Sequence, residues 1–71
     1  MKKFSNDILV EIDDVQDQVE WIAKMIGKAA ECEDRNEGID KLETALEEAK
    51  FTLRVLKDLI DMAKKERENE K

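Results

Sequence analysis

The sequence predicts an all-α protein, an antiparallel hairpin of two long amphipathic helices that is completed by a partner. Three observations predict it. The first is composition: 45% of the 71 residues are charged, proline is absent, only 4% are aromatic, and Gly27 and Gly38 are the only glycines. Such a chain lacks the residues that favour strands and matches long helix or coiled coil. The second is a pair of heptad patterns that are out of phase with one another. The third is one cluster of turn-forming residues, Glu33-Asp34-Arg35-Asn36-Glu37-Gly38, lying between them. The 41% of residues that are apolar, regularly spaced, argue against a disordered chain.

The first helix is expected over about residues 6–33. Apolar residues recur at Ile8, Ile12, Val15, Val19, Ile22, Ile26 and Ala29, with the alternating spacing of a heptad's inner positions. Ser5 is placed to cap it, Asp7 favours the positive end of the helix dipole, and Phe4 and Leu9 have the spacing of a hydrophobic staple. A turn follows over about 34–38. Asp34 or Asn36 can cap the next helix, and Asp34 with Glu37 has the spacing of a capping box. The second helix is expected over about 39–66, on Ile39, Leu42, Leu46, Ala49, Leu53, Leu56, Ile60 and Ala63. The tail, 67–71, lies in a final stretch without apolar residues and is expected to fray.

Folding back at the turn sets these two rows against each other as the seam: Ile8 with Ala63, Ile12 with Ile60, Val15 with Leu56, Val19 with Leu53, Ile22 with Ala49, Ile26 with Leu46, and Ala29 with Leu42. It also lays an acidic stretch, Asp7, Glu11, Asp13, Asp14, Asp17 and Glu20, beside Arg54, Lys57, Lys64 and Lys65. The competing arrangement is one continuous helix of roughly 95 Å. It would have to absorb the phase break, and Gly38 with its Asp and Asn neighbours lowers helix propensity there.

With this seam inside, a second apolar surface remains on the hairpin: Trp21, Met25, Phe51, Val55, Leu59 and Met62, with Cys32 and Ala45 near the turn. Helix two carries apolar residues over more of its circumference than one neighbouring helix can cover. The expected use is dimerisation into a four-helix bundle, and the alternative is docking of a different protein. On this assignment Leu53→Asp unfolds the hairpin, whereas Phe51→Asp spares helicity and breaks self-association.

Chemistry finds little support. There is no histidine, so Ser/His and Cys/His nucleophiles are excluded. Cys32 is the only cysteine, which excludes an intrachain disulfide and a thiol-based metal site, and its neighbours Glu31, Glu33 and Asp34 disfavour a thiolate. Asp13-Asp14-x-x-Asp17 has the spacing by which some all-helical enzymes hold magnesium, but it maps to outer positions of a chain too short for a substrate cavity. Glu43, Glu47 and Glu48 have no facing acidic pair with which to hold a hard cation. No catalytic residue, cofactor or metal is therefore expected.

A net charge of −6 disfavours direct nucleic-acid binding. In outline the hairpin resembles the small helical-hairpin dimers that bind RNA and regulate plasmid copy number, a likeness of shape that implies no activity. No signal sequence or membrane span is read from the chain, and the expected location is the cytoplasm. The expected function is a non-enzymatic interaction or regulatory module acting as a homo-oligomeric bundle, a dimer by preference, with another protein as a possible partner. The alternative is an acidic mimic of nucleic acid, using Asp7, Glu11, Asp13, Asp14, Asp17 and Glu20 to occupy a DNA- or RNA-binding protein.

Overall fold

A computed structural model describes residues 3–69, and the first residues of the N-terminus and Glu70 and Lys71 of the expected tail lie outside them. Two helices pack against each other as a hairpin, α1 over Asn6–Glu31 and α2 over Arg35–Asn69. The pair is a rod of 56 × 16 × 15 Å.

Local chemistry accounts for the ends. Ser5 caps α1: its backbone is extended and its hydroxyl accepts the Ile8 N–H at 3.4 Å. Asp34 caps α2, its carboxylate accepting the Asn36 N–H at 2.9 Å. The Asp34 carbonyl then accepts the Gly38 N–H at 3.1 Å. These bonds draw Arg35–Gly38 into the helix, so the connection is only Cys32–Asp34, shorter than the turn expected over 34–38. At the far end α2 stays helical to Asn69 without apolar support. Glu66 holds it there: its carboxylate accepts both the backbone N–H and the hydroxyl of Ser5, each at 2.8 Å.

Axial register follows the expected pairing. Gln18 lies level with Thr52, whose hydroxyl donates to the Gln18 side-chain oxygen at 3.0 Å, and Ser5 lies level with Glu66. Rotation about the helix axis differs for α2. Its buried residues are Gly38, Ala45, Thr52 and Leu59, one every seventh position, with Lys41, Ala49, Val55, Ala63 and Glu66 half-buried around them. On α1 the inner row is as expected at Ile8 and Val15, which are buried, and at Ile12, Ile22 and Ala29, which are half-buried.

The expected seam of α2 is therefore corrected. Ile39, Leu42, Leu46, Leu53, Leu56 and Ile60 are all exposed, Leu53 most of all at 65%. Val19 and Ile26 of α1 are exposed as well. The physical reason is size. Gly, Ala and Thr let the α2 backbone approach α1 closely, and at Gly38 an added Cβ would come within 3.2 Å of the Ala29 carbonyl oxygen. A row of Leu and Ile would hold the helices further apart.

The core that results is thin. Ile8, Val15 and Leu59 form its buried cluster, with Ile12 and Val55 packed against it. The chain exposes 6116 Å², whereas a compact monomer of 8.3 kDa exposes about 4,600 Å².

Candidate interaction face

On a helix each residue advances about 100°. Measured from the inner row of α2, the Leu42, Ala49, Leu56 row lies about 40° round, and the Ile39, Leu46, Leu53, Ile60 row about 100° round. On α1 the Ile12, Val19, Ile26 row stands about 40° from the Ile8, Val15, Ile22 row, and Leu9, Gln16, Ala23 and Ala30 about 100°. Two antiparallel right-handed helices turn these rows to the same side of the hairpin. The groove beside the turn confirms it, since Ile26 and Ala29 of α1 line it together with Ile39 and Leu42 of α2. One broad face, aliphatic but for Gln16 on α1, thus runs along both helices, its α2 half an unbroken heptad stripe.

The surface expected from sequence lies on the opposite side and carries fewer exposed large apolar side chains. Leu59, assigned there, is in the core at 8% exposure, and Val55 and Met25 are half-buried between the helices. Trp21, Phe51 and Met62 are exposed on it. Met62 borders an open depression near the clasp that Ser5 and Glu66 form, lined also by Asp7, Ile8 and Lys65. Of the two residues placed near the turn, Ala45 is buried and Cys32 half-buried. The Cys32 thiol donates to the Lys28 carbonyl at 3.3 Å, one turn back on its own helix.

The acidic row of α1 is solvated. Asp7, Asp13, Asp14, Asp17 and Glu20 are exposed, and Glu11 is half-buried. The fold does bring α2 alongside it, but among the described residues the one ion pair joins Lys50 to Glu47 within α2, at 3.4 Å. Both side chains of that pair are more than half exposed, so it adds little to stability. The hairpin is held by packing and by the Ser5–Glu66 and Gln18–Thr52 hydrogen bonds.

Among the described residues, no group of three or more His, Cys, Asp or Glu side chains is placed to hold a metal ion. No helix there is long and apolar enough to cross a membrane. Sequence reasoning missed the aliphatic face because it spent those residues on the seam. The signal that could have found it was present, since α2 carries two apolar stripes and α1 can cover only one. Compared with protein-family models, curated proteins and solved structures, the chain matches none.

Proposed function

We propose that the protein is a non-enzymatic, self-associating helical module. Two hairpins bury their aliphatic faces against each other as a four-helix bundle, leaving the charged outer surface to engage another macromolecule. One observation carries this reading: Ile39, Leu42, Leu46, Leu53, Leu56 and Ile60 keep strict heptad spacing yet stand 38–65% exposed. Exposed aliphatic side chains scattered singly need no explanation, but a contiguous patch of them marks an interface. The surplus of roughly 1,500 Å² per chain over a compact monomer exceeds the about 800 Å² per partner of a standard interface. Sedimentation equilibrium across a wide concentration range tests it. A dimer mass supports the module, and a folded monomer at every concentration overturns it.

A second reading is supported by the solvated acidic row. Asp7, Asp13, Asp14, Asp17 and Glu20 lie along α1 with no basic side chain of α2 within ion-pair distance among the described residues. Such a row suits an acidic mimic of nucleic acid. Competition between the protein and DNA or RNA for a captured partner tests that reading. A partner that binds both at once counts against it.

A further inference from the structure

We infer that the aliphatic face is occupied by a second copy of the chain related by a twofold axis parallel to the helices, so that both turns lie at the same end. This rests on the self-association reading and fixes what that reading leaves open. Two hairpins can meet face to face in two ways. With the axis along the helices, each α1 lies beside the partner's α2. With the axis across them, α1 lies beside the partner's α1, α2 beside the partner's α2, and the turns are at opposite ends. Every neighbouring pair is antiparallel in both, so helix dipoles do not choose between them.

Charge at the rim of the face does choose. The positions next outward from the aliphatic rows are Asn6, Asp13, Glu20 and Gly27 on α1, and Glu43, Lys50, Lys57 and Lys64 on α2, the uncharged Asn6 standing level with Lys64. The level set by Gln18 and Thr52 is preserved by an axis along the helices. That axis puts Asp13 level with Lys57 of the partner subunit and Glu20 level with Lys50 of the partner subunit, each occurring twice. Gly27, uncharged, meets the acidic Glu43 position. With the two rods in full overlap, the crosswise axis lies near the middle of α1, at the level of Val19 and Phe51. It would set Glu20 against its own copy and Lys50 against its own copy, leaving only the Glu43 and Lys57 levels matched. Lys50 is free to change partner, because its contact with Glu47 is exposed and weak.

Size agrees with charge. With the axis along the helices, Ala23 of α1 lies level with Leu46 of the partner subunit, and Ala30 with Ile39 of the partner subunit. Small residues thus receive large ones at these two levels, as interdigitating layers require, while Gln16 lies level with Leu53 of the partner subunit. Leu9 and Ile60, both near half exposed, cover each other at the open end.

The test is a distance between turns. Glu33 is exposed in the connection, and Glu33→Cys in a Cys32→Ser background carries one nitroxide per chain. Serine retains a donor for the Lys28 carbonyl. Turns at one end give an interspin distance on the order of 20–30 Å, set by interaxial spacings of about 8–10 Å and the label arms. A distance approaching the rod's 56 Å overturns the inference while leaving self-association intact. Absence of any intermolecular distance, with a monomer mass in sedimentation, overturns both. Charge reversal gives an independent reading. Glu20→Lys should weaken dimerisation by roughly tenfold, and Glu20→Lys with Lys50→Glu should restore it. Failure of the double reversal to restore it counts against the pairing.

Discussion

Replacing Leu53 by aspartate should separate the proposed association from hairpin folding, because the rotation of α2 turns this residue away from α1. Leu53 is 65% exposed, and Leu59, six residues on and round the other side of the helix, is 8% exposed. Full burial of a leucine is worth about 1.5–3 kcal/mol, so the exposed part of Leu53 offers about 1–2 kcal/mol to an interface. The proposed dimer brings two copies together, and their loss would remove about 2–4 kcal/mol before the cost of desolvating a carboxylate is added. At about 1.4 kcal/mol per decade, dimerisation of Leu53→Asp should weaken by about a thousandfold or more. Sedimentation gives the mass and thermal circular dichroism the folding of each variant. Leu53→Asp is expected to be a monomer with a cooperative, concentration-independent transition. Leu59→Asp puts the charge between the helices and should abolish that transition. The reverse ranking, with Leu59→Asp cooperative and Leu53→Asp unfolded, would refute the rotation itself. A Leu53→Asp variant that dimerised like the parent would refute the use of the aliphatic face.

Further expectations concern the hairpin's own fastenings. Ser5→Ala removes the α1 cap and should cost about 0.5–2 kcal/mol in denaturant titrations. Glu66→Ala should cost about 1 kcal/mol by the loss of its bonds to Ser5. Because the two residues share those bonds, the double variant should lose less than the sum of the single losses, and strict additivity would show the clasp to be idle. Thr52→Val removes the bond to Gln18 but fills the same volume, and should shift stability by no more than about 1 kcal/mol. Gly38→Val forces a branched side chain against the Ala29 carbonyl and should destabilise by about 2 kcal/mol or more; an unchanged melting temperature would contradict the close approach.

Much of the fold was legible in the sequence, and the reasons are local. Ser5 announces one cap and Asp34 or Asn36 the other, because short polar side chains bond the first free N–H groups of a helix, and Ser5 and Asp34 do so. The fold-back and its axial register could be read from matching two stripes about one turn, and the Gln18–Thr52 and Ser5–Glu66 contacts fall within a residue of that match. Rotation was not legible. Reading by hydrophobicity gives the strongest row, Ile39 to Ile60, to the nearest partner, whereas close packing gives that place to the smallest row. Gly38, Ala45 and Thr52 carry too little apolar surface to register as an inner face. The extension of α2 to Asn69 was hidden for a related reason, since Glu66 looks like part of a solvated tail until Ser5 is brought to it.

The ladder of contacts between the helices has a consequence for the order in which the molecule opens. It begins at a connection of Cys32–Asp34 and ends at a clasp between residues 61 apart. Contacts beside the connection close short loops and those at the clasp close nearly the whole chain, so the entropy of closure rises along the rod. Apolar support is also uneven, with the buried cluster of Ile8, Val15 and Leu59 lying towards the clasp and small residues towards the connection. Folding that starts at the turn therefore meets its main apolar reward late, which favours closure in one concerted step over stable half-zipped hairpins. Amide exchange should accordingly show broadly similar protection along both helices, with the clasp and the cluster beside it opening together.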